Sequence, residues 1–295
     1  MHRAISTLAL LLLALAPAAC GGSAGEETSA KETLAGVKPL QSAQTAVAFR
    51  LFFDNAPASV GDELELTLDG PLRNNGADKL PSLDWKVAFS GLATKFTSRI
   101  VSTGNNVFIN LGGQDFEAGE AAVQRLTDQA RTAQRQGLAQ VGLDPLAAVR
   151  DVEEAGERTF DGEQLTLYKG AVDLDGVLDQ VERLSRGLPT TGAAETIPQG
   201  RLTPQQRAQV KRTFGSPRFE VGVADDDTVR QLRITSRFTT PAANRAAAGG
   251  ITGGRMEYRV EYTDVGEETT ISAPAKTQPI SDFGREIQRI LASRG

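Results

Sequence analysis

The residues that could do chemistry are few, and their spacing fits other uses. Asp225-Asp226-Asp227 invites a calcium reading. A calcium loop, however, alternates its ligands around a central Gly and closes on a distal Glu. Three adjacent Asp between two strand-like segments fit a solvated hairpin turn. Asp173-Leu174-Asp175-Gly176 opens a helical stretch, where an Asp serves as N-cap. Glu153-Glu154 and Glu267-Glu268 are neighbours, and neighbours in a strand point to opposite faces, so neither pair is a ready acid/base dyad. Gly21-Gly22-Ser23-Ala24-Gly25 matches a nucleophile elbow in form only, because the elbow needs a preceding strand, a following helix and a histidine. The one His is His2 and the one Cys is Cys20. If residues 1–19 are removed, no histidine remains and the only thiol is N-terminal. Ser-His and Cys-His nucleophile pairs, His or Cys zinc sites and internal disulfides are then excluded. No Ser-x-x-Lys motif occurs. Gly249-Gly250 and Gly253-Gly254 lack the Gly-Lys-Ser/Thr end of a phosphate loop and read as part of a mobile hairpin loop over 242–254. The expectation is no catalytic residue, no metal and no cofactor. Carboxylates distant in sequence leave a hydrolase as the one catalytic alternative.

The two special residues belong to an address. Met1-His2-Arg3 is a basic start, and 4–16 is an apolar stretch too short to span a bilayer and right for a secretory signal. Ala18-Ala19 then leads into Cys20-Gly21-Gly22-Ser23, the pattern of a bacterial lipoprotein signal in which the Cys is acylated. Pro17 stands where that pattern prefers Leu. The bland alternative is an ordinary cleaved signal with an incidental Cys. The reading assigns 1–19 to a signal peptide, Cys20 to lipid attachment and 20–33 to a flexible tether with a reach of roughly 20 Å. It places the protein on the extracytoplasmic side of the cell membrane.

The body, 34–295, reads as one domain. Of the 295 residues 40% are hydrophobic and 23% charged, and the formal charge is -5. An acidic chain lacks the basic face that nucleic acid needs. Period-two alternation dominates: Leu64, Leu66 and Leu68; Leu83, Trp85, Val87 and Phe89; Phe96, Ser98 and Ile100; Val107, Ile109 and Leu111; Phe219, Val221 and Val223; Leu232, Ile234 and Phe238; Met256, Tyr258, Val260 and Tyr262. Such strands bury one face and wet the other. Helical patterns fall at 119–136, at Leu174, Val177, Leu178, Val181 and Leu184, after the capping box Thr203-Pro204-Gln205-Gln206, and at Phe283, Ile287, Ile290 and Leu291. The class is α+β: a large antiparallel sheet with helices gathered on one side. Few helices must cover much sheet. Either the sheet curls over its own core or an apolar cavity remains, a natural site for an acyl chain.

Two stretches carry a resemblance. Thr159-Phe160-Asp161-Gly162-Glu163-Gln164-Leu165-Thr166-Leu167-Tyr168-Lys169-Gly170-Ala171-Val172-Asp173 feeds a helix. Tyr258-Arg259-Val260-Glu261-Tyr262-Thr263-Asp264-Val265-Gly266 is followed by Thr270-Ile271-Ser272-Ala273-Pro274. Behind a lipoprotein signal, this order resembles the LppX–LprG group of actinobacterial envelope lipoproteins, similar in fold to the LolA and LolB carriers. The resemblance implies a strongly curved antiparallel half-barrel whose concave face is closed by helices around an apolar cavity. It also implies carriage of a lipid or glycolipid, and only Cys20 transfers as a defined position. Together with the shortage of helices, it makes Leu66, Leu68, Trp85, Val87, Phe89, Phe96, Ile100, Val221, Val223, Leu232, Ile234 and Phe238 the expected lining. Head-group selection would fall to the loops near Asn74-Asn75 or 242–254. The alternative of another class is a ligand-free scaffold that uses the same sheet to hold an envelope protein partner.

Overall fold

Alternating segments joined by short turns pair with their neighbours, and a computed structural model of the chain arranges them in one large, open, mostly antiparallel sheet. Residues 30–76, 79–124, 127, 148–187 and 202–292 are described. The signal, Cys20, most of the helix expected at 119–136, and the side chains of Val181, Leu184, Ile287, Ile290 and Leu291 lie outside them. The strands are β1 (Ser42–Asp54), β2 (Glu63–Arg73), β3 (Ser82–Gly91), β4 (Thr94–Thr103), β5 (Val107–Leu111), β6 (Gln114–Glu117), β7 (Val149–Phe160), β8 (Glu163–Val172), β9 (Arg218–Ala224), β10 (Val229–Thr239), β11 (Gly253–Thr263) and β12 (Gln278–Pro279). Their order in the sheet is β12-β6-β5-β4-β3-β2-β1-β11-β10-β9-β8-β7. Among the described residues β2–β3, β3–β4, β4–β5, β5–β6, β7–β8, β8–β9 and β9–β10 pair antiparallel, and β12 pairs parallel with β6. Helices among the described residues include α1 (Ala30–Ala35), α2 (Leu174–Gly187), α3 (Pro204–Thr213) and α4 (Phe283–Ala292). Among the described residues no helix is long and apolar enough to cross a membrane.

The chain divides into two compact units. The first comprises 1–39, 50–63 and 136–258; the second comprises 40–49, 64–135 and 259–295.

In the second unit, register sets the faces. Leu66, Phe89 and Phe96 are cross-strand partners, as are Leu68, Val87 and Ser98; Trp85, Ile100, Ile109 and Phe116 form a third row. Phe116 is fully buried, and Phe283 of α4 meets it edge-on at 5.4 Å. Tyr262 is also buried, and burial pushes its phenol up to about 12, so it stays neutral. The opposite face carries Asp69, Lys86 and Arg99, with Arg99 donating to both carboxylate oxygens of Asp84 at 2.6 Å. That face is not wet throughout. Val101 and Phe108 lie on it and are buried, which corrects the expectation of one wet face.

The β3–β4 turn is Leu92-Ala93, with both residues at positive φ (53° and 55°). Two such residues fit a I′ hairpin turn, where Asn-Gly is the unstrained choice and other side chains crowd the backbone. Replacing Leu92-Ala93 by Asn-Gly is therefore expected to raise stability by about 1 kcal/mol, read as a higher midpoint in urea unfolding.

In the first unit, one face of β8–β10 aligns Tyr168, Val221 and Leu232, with Gly170, Phe219 and Ile234 beside them. The other face runs Glu153–Lys169–Glu220–Arg233 across β7 to β10. Ion pairs join Lys169 to Glu153 at 3.5 Å and Arg233 to Glu257 at 2.9 Å, and Arg158 joins the same face through Glu220 at 2.8 Å. Alternating charge suits a solvated cross-strand row. Here too the rule breaks locally, because Leu165 and Leu167 share that face and are buried over the bare backbone of Gly222. β7 is an edge strand whose register shifts twice and whose exposed side chains are charged apart from Thr159, devices that blunt an edge against pairing.

Two helices of this unit are held to each other by charge. Lys211 donates to Asp175 at 2.5 Å, and Arg207 reaches Asp179 at 2.5 Å and the buried Glu182 at 2.8 Å. The expected capping box of α3 is complete: the Thr203 hydroxyl accepts from Gln206 N, and the Gln206 side chain accepts from Thr203 N. Asp173 caps α2, accepting from Asp175 N.

Two readings of loops change. Gly253 and Gly254, placed in a mobile loop, are buried at the start of β11. Their role is steric, since Gly254 passes against the Phe52 carbonyl and the Phe238 ring. Residues 30–33, expected in the tether, lie in the helix α1. Here α1 packs beside β7, Thr33 shares a hydrogen bond with Tyr168, and Lys38 bridges to the β9–β10 turn.

Candidate functional site

The expected lining divides between the units. Leu66, Leu68, Trp85, Val87, Phe89, Phe96 and Ile100 stand in the second, on the one face that register defines. Val221, Val223, Leu232 and Ile234 stand in the first, on the face shared with Tyr168, and Phe238 has the strand parity of Ile234. Val87, Val221 and Val223 are buried, Phe96 is 43% exposed, and the others are half-buried.

In the second unit the apolar rows are half-buried, with Val87 and Phe116 buried and Phe96 exposed. Phe89 and Phe96 stack at 5.4 Å with 27° between their planes. Gly70 falls in register opposite Trp85, between the pairs Asp69–Lys86 and Leu72–Leu83, and gives the indole no cross-strand side chain there. The three rows carry no charged side chain. Among the described residues of this unit, the buried indole nitrogen of Trp85 and the buried hydroxyl of Thr45 on β1 make no hydrogen bond. A groove of about 340 Å³ runs along Glu65, Thr67, Ala88, Ser90, Lys95 and Thr97, touching Phe89 and Phe96. Those six residues have the parity opposite to Phe89 and Phe96, so most of this groove lies on the other face and only its edge meets the first apolar row.

In the first unit Phe238 lies among aromatic rings, 6.2 Å from Phe53 and 6.5 Å from Phe214. Arg255 sits over the Phe52 ring at 4.4 Å.

The polar loops named for a head group are occupied with themselves. Asn75 donates to Leu80 O at 2.7 Å and Ser82 Oγ at 2.8 Å, while Asn74 accepts from Gly76 N. The 242–254 segment holds a 3₁₀ turn, Ala242–Asn244, and a buried Ile251.

The Asp225–Asp227 turn does more than face water. Asp227 accepts from Lys38 Nζ at 2.8 Å. Asp226 accepts from Thr228 N and from Arg230, whose buried guanidinium also forks onto Glu163. Burial works against the Asp226 carboxylate, but hydrogen bonds from Thr228 and Arg230 outweigh it and hold the group below its ordinary range. Among the described residues no cluster of three or more His, Cys, Asp or Glu is placed to hold a metal ion.

No family model and no curated protein matches the sequence. Among solved structures the chain is similar to LprF from Mycobacterium bovis, at 14% identity over 84% of this chain and 94% of that one, with a TM-score of 0.42. It is similar to the lipoprotein LppX from Mycobacterium tuberculosis, at 14% identity over 79% and 90%, with a TM-score of 0.38. An outer membrane lipoprotein-sorting protein domain from Vibrio parahaemolyticus matches at 7% identity over 88% and 95%, with a TM-score of 0.22. LprF and LppX are lipoproteins of the LppX–LprG group that the sequence resembles.

Proposed function

We propose that this protein is a lipid-binding lipoprotein of the cell envelope. Acylated Cys20 anchors it to the outer leaflet side of the cell membrane, and an acyl lipid or glycolipid is its ligand. The curved sheet with helices over a concave face, working as one carrier domain over 34–295, belongs to the same proposal. The role is binding, not catalysis.

The observation that supports it is the half-open apolar face of the second unit. A core residue on a covered parity is normally buried, whereas Leu66, Leu68, Trp85, Phe89 and Ile100 are half-buried and Phe96 is exposed. Uncharged rows of this kind suit an alkyl chain. A sixteen-carbon chain gains on the order of 12 kcal/mol from leaving water, at about 0.8 per methylene. Lost freedom and extraction from a bilayer offset most of that gain. The resulting exchange is near neutral, which lets a carrier release what it takes up.

Two measurements test this reading. The chain starting at Gly21 should bind a fluorescent fatty-acyl probe saturably. Phe96→Asp, which sets a carboxylate among the apolar rows from an exposed position, should weaken that binding at least about tenfold. Absence of saturable binding would leave the protein-scaffold reading ahead, which the exposed Phe96 would also serve. Cys20→Ser should move the full chain from the membrane fraction to the soluble one, because two acyl chains suffice for stable anchoring and none remains in the variant. Unchanged membrane association would contradict the anchor.

A further inference from the structure

Resting on the reading above, we propose that the Trp85 indole is the polar anchor of the ligand site, donating its N–H to the carbonyl oxygen of an ester-linked acyl chain. The indole nitrogen is shielded from solvent and has no acceptor among the described residues. An unpaired buried donor is uncommon and costs stability, so it calls for a partner supplied by something else.

The surroundings decide which partner fits. Around Trp85 on its face stand Ile100 across β4, Val87 along β3 and the bare Gly70 across β2. A lone water needs two to four polar partners to stay buried, and the neighbours that register gives Trp85 are Ile100, Val87 and Gly70, none with a polar side chain. A phosphate or carboxylate would enter rows that carry no cation, which is a costly burial of charge. An amide would bring a second N–H in need of its own acceptor. A neutral ester carbonyl accepts one hydrogen bond and leaves its alkyl chain to run over Leu68, Val87 and the stacked Phe89–Phe96 pair. The site would therefore select acyl esters over ethers of equal length, using a hydrogen bond where no charge is present.

The test compares a diester glycerolipid with its diether analogue. Each displaces a fluorescent fatty-acyl probe from the full chain held in an alkyl maltoside, a detergent without an ester carbonyl. The wild-type chain should prefer the diester about five- to tenfold. Trp85→Phe should lose that preference by weakening the diester alone. Trp85 is the sole tryptophan, so its single indole resonance provides a reading that needs no variant: the diester should move the proton downfield and the diether should not. Equal displacement by the two lipids, a preference that survives Trp85→Phe, or an indole resonance indifferent to the diester would overturn this proposal and leave lipid binding intact. Failure of the probe itself to bind would overturn both readings.

Discussion

Alanine at position 254 is expected to lower the stability of the folded chain by about 3 kcal/mol, the upper end of what overpacking usually does. Gly254 lies inside β11, where any Cβ would overlap the Phe52 carbonyl oxygen and come within 2.7 Å of Phe238 Cζ. Neither obstacle yields readily. The carbonyl is main chain, and the Phe238 ring is bracketed by Phe53 and Phe214. Gly284, in the exposed first turn of α4, has nothing within 4 Å of where a Cβ would stand. Gly284→Ala should instead be neutral or gain up to about 1 kcal/mol from helix propensity. Urea midpoints of the two variants should move in opposite directions. A Gly254→Ala chain as stable as the parent would mean that β1, β10 and β11 are less closely packed there than described.

Removing the Arg230 guanidinium should cost about 2–3 kcal/mol. Arg230 has a side chain only 5% exposed, and it holds Glu163 and Asp226 together with Thr228. Loss of one partner of a fully buried pair costs about 3–5 kcal/mol. Both acids here are 50% exposed and can rehydrate, which places the expectation lower. Arg230→Met keeps the apolar packing of the stem and should lose about 1 kcal/mol less than Arg230→Ala. The effect has a pH signature. The Asp226 carboxyl is depressed in the fold, so its contribution is complete above the ordinary value of 3.8 and disappears as pH falls through the lower folded value. The stability gap between parent and Arg230→Ala should therefore be constant near neutrality and narrow in acid below that value. A gap that widened on acidification would reverse the assignment.

The sheet was legible where one face is apolar and the other polar. β2, β3, β4, β10 and β11 are legible with the observed parity, since Leu66, Val87, Leu232 and Tyr258 each alternate with polar or small neighbours. β1 left no such trace, because Val47 and Phe49 on one parity and Ala48 and Phe52 on the other put apolar side chains on both of its faces. β8 also has apolar groups on both faces, so a rule of one wet face could not find Leu165 buried. The Arg230 cluster was hidden by a register shift between Val229 and Gln231. Counting by twos from Leu232 assigns Arg230 to the apolar face, whereas its partner Glu163 shares strand parity with Leu165 on the other. Gly253 and Gly254 read as loop because glycine is usually punctuation. Close approach of a main chain is the other reason for glycine, and no local pattern announces it. In the candidate site, the row containing Trp85 could be read from alternation. Its unanswered N–H could not, since that depends on which residues from β2 and β4 stand opposite.

The central claim is that an acyl chain lies along the β2–β4 apolar rows. A fatty-acyl probe carrying a photoactivated diazirine, bound to the protein and then crosslinked, tests it most directly, with the labelled peptides mapped by mass spectrometry. The account predicts saturable labelling within Glu63–Arg73, Ser82–Gly91 and Thr94–Thr103, displaced by excess unlabelled lipid and reduced in Phe96→Asp. Labelling that spares all three strands, or that excess lipid does not displace, would contradict it.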